Sequence, residues 1–507
     1  MTIKTQDPQE KIGFLIKTLR EQRGLTQEAF AKELKTSQSA VARMESGKQN
    51  FSTQELLKIS KVLNHKLVTI SESLDFEVRG GKKLSGTINT NFSKNGSVVL
   101  LCAALLNKGK TILHGISRIE EVYRLIEVIE SLGVTTKWIG RNTLEIIPPK
   151  KIAFNKLNQE AAARMRSSLM LIGPLMHREV KFNLPHAGGC KMGSRTIAAH
   201  RYGLEKLGMQ IETKEDFYEI EAKKFRPNEI IMYEAGDTAA NNILMAAALI
   251  PGVTTIRFAP PNYQVQELCF FLEKMGVKIE GIGTTNLVVH GIKDFNQTLE
   301  YHNSEDPIES MMFISAAVVT NSKLEIKRCP IDFLLLELLK LEKMGLKYTQ
   351  SKKYKSFNGR TDLVDLVILP SKLYSLSDKI HALPYPGINT DNLPFFVPIA
   401  TQAEGTTLIH DWMWENRAIY FTELNRLGAQ VALADPHRVF VTGKTKLRAG
   451  QVVCPPALRP AMIILIAMLA AEGTSILRNV YSINRGYEEI AKRLNSIGAD
   501  IRVVGGI

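Results

Sequence analysis

Between Glu10 and Gln22 the apolar residues Ile12, Leu15, Ile16 and Leu19 recur at helical spacing, and Gly24 stands where a helix can end in the left-handed conformation. The pattern restarts at once. Thr26 is placed to cap a second helix with Ala29, Phe30 and Leu34 on its apolar side, and Ser37 to cap a third, Gln38 to Glu45, with Val41 and Met44 facing inward. Gln38, Ser39 and Arg43 then fall on or near the outer side. Leu56 to Leu67 supplies the closing apolar helices.

From Asp75 onward the rhythm changes. An amphipathic helix ends in Leu, Met or Ile, a glycine follows, and an apolar residue opens a strand: ESLGV, EKLGM, EKMGV, EKMGL, NRLGA and NSIGA. Their glycines, Gly133, Gly208, Gly276, Gly345, Gly428 and Gly498, are 75, 68, 69, 83 and 70 residues apart. Each is placed as a helix C-cap, and stretches such as Val277-Lys-Ile-Glu alternate like half-exposed strands. Six α+β units of this length are too large and too mixed for a thin solenoid, and the pattern predicts two globular domains of three units each.

The 507 residues exceed a single core, and about 150 residues per domain gives about three domains. The longest apolar stretch, Ala461 to Ala471, is shorter than the roughly 20 residues of a membrane span, so a buried helix and no membrane partner are expected. Lys4, Asp7, Glu10 and Lys11 crowd the N-terminus without an apolar h-region, which predicts a cytoplasmic protein. Five scattered cysteines form no CxxC pair, so neither a disulfide framework nor a metal site is expected; Cys102, Cys269 and Cys454 read as packing residues. A net charge of +14 favours anionic partners without naming them.

The string from Leu25 to Ser52, LTQEAFAKELKTSQSAVARMESGKQNFS, resembles the helix-turn-helix of the phage-repressor and Cro class. The resemblance covers residues 9–72 and implies a third helix that enters the major groove of double-stranded DNA. It makes Gln38, Ser39 and Arg43 the base-facing candidates and Gln27 and Lys48 the backbone contacts. With 12 Lys and Arg against 8 Asp and Glu in Met1 to Glu72, one copy carries only +4, so a specific site calls for an oligomer through this module. A purely dimerising helical module is the other reading.

Eight strings over residues 76–505 resemble the enolpyruvyl transferases, in order. They are Lys94-Asn95 at the start of a helix, Arg166 in RMRSSLM, Cys190, Arg195 and His200 in AGGCKMGSRTIAAH, Asp306 in SEDPIESMMF, Asp391 in PYPGINTDNLPFF, Arg417 in WENRAIYF, and Arg459 with Arg485 in ALRPAM and NRGYEEI. The Gly-Gly-Cys loop is similar to that of the UDP-N-acetylglucosamine 1-carboxyvinyltransferase branch. The resemblance implies a two-domain inside-out α/β barrel of six repeated units, preceded by the small all-α module. Its domains would be residues 94–304, and residues 76–93 with 305–507.

The resemblance also implies the chemistry. Phosphoenolpyruvate carries a phosphate and a carboxylate, which Lys94, Arg195, Arg459 and Arg485 would clamp, arginine being suited to planar bidentate contacts. Asn95, Arg166, His200, Asp306 and Arg417 complete the substrate-binding set. Asp391 would take the proton of the sugar 3-hydroxyl and Cys190 would act as acid or in product release. No cofactor is implied, and UDP-N-acetylglucosamine is the acceptor, a step toward peptidoglycan precursors. The stretch MYEAGDTAANN, however, sets Glu234, Gly236, Asp237 and Thr238 where the branch has a Lys-x-Ser-Val-Gly cradle for the diphosphate. Another acceptor, or a pocket that senses phosphoenolpyruvate or a nucleotide sugar and controls DNA binding, therefore stands beside the first reading.

Overall fold

The computed structural model describes residues 8–49, 51, 53–63, 74–188 and 196–505. The chain divides into two compact units, one through Leu74 and one spanning Asp75–Val504. Cys190 and Arg195, and residues 64–73 of the N-terminal module, lie outside the described residues.

The N-terminal unit is made of the helices Pro8–Gln22, Gln27–Leu34, Gln38–Glu45 and Thr53–Leu63. Thr26 and Ser37 cap the second and third, their hydroxyls accepting from the backbone N–H groups of Ala29 and Ala40. Ile16, Phe30, Ala31, Val41, Met44, Ile59 and Leu63 close a small core. One polar contact reinforces it: Arg20 Nη2 donates to Glu45 Oε2 at 3.1 Å, with both side chains buried.

The larger unit holds two apolar cores. One gathers residues from Val98 to Tyr301; the other gathers Phe76, Val78, Leu84, Ile88 and Tyr263 with residues from Ile308 to Ile501. Three sheets belong to each core. Both contain helices that are apolar on every side and therefore buried rather than amphipathic. Lys94–Ala103 and Asp237–Ala248 occupy the first core, Pro307–Val319 and Leu458–Ala470 the second. The sheets thus lie outside and the helices inside. The apolar stretch ending at Ala471 is one of these core helices, and no helix among the described residues is long and apolar enough to cross a membrane.

Pairing is mixed. Leu299–His302 runs parallel to Thr111–His114, whereas Thr143–Ile147 is antiparallel to that same strand. The six repeat glycines all take positive φ, from 82° at Gly428 to 105° at Gly208, where a Cβ would be strained. The chain crosses between the halves at Asn89–Lys94 and His302–Asp306. Its crossings are tied together, Ser93 N donating to Ser304 O at 2.7 Å and Asp306 N to Asn91 O at 2.8 Å.

Candidate active site

A cavity of about 400 Å³ opens between the halves. Lys94, Asn95, Glu121, Arg124, Arg164 and Arg166 line it from the first half, and Asp391, Trp414, Arg417, Arg459, Tyr481 and Arg485 from the second. Among the described lining residues seven are cationic and two, Glu121 and Asp391, are acidic, so the cavity is built for an anion.

Lys94 starts the helix Lys94–Ala103, which Ser93 caps by accepting from Gly96 N at 2.9 Å. A lysine in that first turn adds its charge to the positive end of the helix dipole. Its Nζ lies 2.7 Å from Glu121 Oε2. Burial opposes the charge on Glu121, but Lys94 and Arg485 overcome it and hold the carboxyl below its ordinary range. Asn95 Nδ2 donates to the Tyr263 hydroxyl at 2.8 Å.

Asp391 faces two arginines. Arg459 Nη2 is 3.1 Å from its Oδ2, and Arg417 Nη1 is 3.9 Å from its Oδ1. Burial works against the negative charge, yet Arg459, then Arg417 and Lys94, outweigh it and depress the carboxyl. Arg459 is itself oriented, its Nη1 donating to the Tyr487 hydroxyl at 2.7 Å. Nearby, burial pushes Asp237 up to about 7, against the hydrogen bond from Asn262 and with the charge of Asp391 adding to the rise.

Arg417, Asp306 and His200 each have polar partners inside the protein. Arg417 is 1% exposed and chelates Asp411, Nη2 to Oδ1 being 2.9 Å, while Nη2 also donates to Thr390 O at 2.7 Å. It thereby fixes the turn that carries Asp391. Asp306 caps the helix Pro307–Val319 through Ile308 N at 2.8 Å and accepts from Lys94 N at 3.1 Å. It positions Lys94 from the opposite half.

His200 is buried in the first half. It is 2% exposed, accepts from Asn242 Nδ2 at 3.1 Å, and has its other ring nitrogen 3.5 Å from Thr238 Oγ1. Burial, with Arg166 adding, pushes it down to about 3, so it is a neutral imidazole in the core of the first half. Arg166 does line the cavity and donates to Thr196 O at 2.9 Å.

In the N-terminal unit Gln38, Ser39, Arg43 and Lys48 are exposed, as a reading surface requires. Gln27 is half-buried and donates to Glu45 Oε2 at 2.8 Å, so part of its amide is committed to the module itself. Glu121, Arg124, Arg164, Trp414, Tyr263 and Tyr487 were not singled out from sequence. The helix Glu120–Ser131 reads as a charged outer face, and Arg124 pairs with Glu120 one turn away, a pattern usual on solvated helices.

With this geometry in view, the chain matches the EPSP synthase (3-phosphoshikimate 1-carboxyvinyltransferase) family over residues 78–494. The chain belongs to the EPSP synthase family of enolpyruvyl transferases. Residues 16–68 of this transferase also match a helix-turn-helix family. It is 35% identical to a UDP-N-acetylglucosamine 1-carboxyvinyltransferase of Treponema denticola, over 85% of its own length and 99% of that relative. A protein of the same name from Bradyrhizobium diazoefficiens is 34% identical over 85% and 98%. The crystal structure of the enolpyruvyl transferase NikO from Streptomyces tendae superposes with a TM-score of 0.72 at 23% identity, over 85% of this transferase and 99% of that chain. An EPSP synthase from Acinetobacter baumannii gives 0.66 at 18% identity, over 85% and 100%. The fold expected from the resemblance is thus the fold of the family.

Proposed function

We propose that this transferase moves the enolpyruvyl group of phosphoenolpyruvate to the 3-hydroxyl of UDP-N-acetylglucosamine, releasing phosphate and supplying a peptidoglycan precursor. The observation that carries the reading is Asp391, held as a carboxylate by Arg459 and Arg417 on the wall of a cationic cleft. Relatives at 35% and 34% identity bearing that name support the acceptor.

In the addition step the sugar O3 bonds to C2 of phosphoenolpyruvate, its proton passes to Asp391, and C3 takes a proton from an acid, the role assigned to Cys190. In the elimination step the bond from C2 to the phosphate oxygen breaks, C3 returns a proton to the conjugate base of the acid that protonated it, and phosphate leaves. Lys94, Arg459 and Arg485 meet the charge on phosphate and carboxylate, with Arg195 completing the clamp. Asn95 and Arg166 bind substrate, while Asp306 and Arg417 act by positioning Lys94 and Asp391. Mass spectrometry of the acceptor after incubation with phosphoenolpyruvate tests this: a carboxyvinyl adduct on UDP-N-acetylglucosamine supports it, and unmodified acceptor refutes it.

The helix-turn-helix match and the exposed Gln38, Ser39, Arg43 and Lys48 support a second activity, binding of double-stranded DNA by residues 9–72 as an oligomer. A cleft that senses ligand for that module, or takes another acceptor, is favoured by one feature: acidic Glu234 and Asp237 in the segment expected to cradle a diphosphate. Ligand-dependent DNA affinity without turnover would support the sensor.

A further inference from the structure

On the outward face of the sheet Leu299–His302, Thr111–His114 and Thr143–Ile147, two imidazoles and a carboxylate converge. His302 and His114 are register partners on parallel strands, and Glu300 lies two residues before His302, on the same face. The imidazole rings stack with centroids 4.2 Å apart and planes inclined by 12°. His114 Nε2 is 2.6 Å from Glu300 Oε1, and the ligand-capable atoms of all three residues lie within 4.8 Å of one another.

We infer that His114, Glu300 and His302 form a binding site for a zinc-class divalent cation. Two imidazoles and one carboxylate are a donor set that zinc accepts, with water in the fourth position. Zinc bonds of about 2.0–2.2 Å set tetrahedral ligand atoms about 3.4 Å apart, so rotation of side chains that are 4.8 Å apart or closer suffices. The orientation of one ligand is already fixed: His114 Nδ1 is 3.1 Å from Thr143 Oγ1. A hydroxyl that accepts the Nδ1 proton leaves Nε2 as the coordinating nitrogen. The cation would take the place of any proton between His114 Nε2 and Glu300 Oε1, which would pass to solvent.

The place gives the site a consequence. Strand Leu299–His302 runs directly into Asn303, whose amide donates to Ser93 O at 2.9 Å, and on to Asp306, which accepts from Lys94 N. From the second half Phe357 packs against His302, their ring centroids 5.8 Å apart. A cation here would bind the first half's edge strand at the crossing that positions Lys94.

The test is calorimetric titration of the full chain, stripped with chelator, with Zn²⁺ alone. Wild type should bind one equivalent that Glu300→Gln and His302→Asn each weaken at least tenfold, and Thr143→Val should weaken it about 10–100-fold through loss of the orienting hydroxyl. Glu300 is 62% exposed at its side chain, so its variant tests the site without disturbing the core. Absence of binding by wild type, or equal binding by wild type and Glu300→Gln, overturns the assignment.

Discussion

Arg459 holds Asp391 and Tyr487 at once, at 3.1 Å and 2.7 Å through its two terminal nitrogens, across 68 and 28 residues of sequence. Because that guanidinium keeps Asp391 ionised, Arg459→Gln should shift the acid limb of the pH–rate profile to higher pH. Asp391→Asn, which cannot accept the proton, should lower kcat by about 10²–10⁴-fold at unchanged fold, as circular dichroism would verify. An acid limb that stays in place in Arg459→Gln would separate the arginine from control of the carboxylate.

Arg417 and Asp411 form a buried pair, their side chains 1% and 0% exposed. Arg417→Ala leaves the Asp411 charge without its partner, and urea unfolding should show a loss of about 3–5 kcal/mol. The double variant Arg417→Met with Asp411→Leu should recover part of that loss. If the single change costs no more than a surface ion pair, the pair is not what fixes the Asp391 turn.

Asp237 predicts a pH dependence of stability. Its folded carboxyl titrates at about 7 against an ordinary 3.8, so between these values the folded state binds more protons than the unfolded one and stability falls as pH rises. Asp237→Asn removes that contribution. It should equal wild type below about pH 4 and be the more stable above pH 7, by at most about 4 kcal/mol, since Asp237 is only half-buried. Thermal melts at pH 4, 6 and 8 measure the gap.

For the N-terminal module, Arg43→Ala should remove sequence discrimination worth about 1–3 kcal/mol and leave turnover unchanged. Lys48→Ala should weaken binding to all duplexes and reduce the salt slope by about 1. Electrophoretic shift at several salt concentrations distinguishes the two.

Much of this was legible in the chain. The helix Gln38–Glu45 and its Ser37 cap follow from local rules, and the six repeat glycines mark helix ends because a positive φ is a local requirement. Order and spacing were enough to bring Lys94, Asn95, Arg166, Asp391, Arg459 and Arg485 to one cleft. Burial was not legible. His200 sits in a polar loop string yet ends 2% exposed beneath Asn242, and Arg417 reads as one more cation until Asp411 is seen to neutralise it. Pairings across the halves, such as Asn95 with Tyr263, depend on tertiary approach that no short window encodes.

Phosphate release reads the transfer to UDP-N-acetylglucosamine directly. With phosphoenolpyruvate and UDP-N-acetylglucosamine together, the full chain should liberate phosphate, with either substrate alone it should not, and Asp391→Ala should abolish release. Phosphate release that is independent of the acceptor, or equal in Asp391→Ala, would rule out transfer to this acceptor through Asp391.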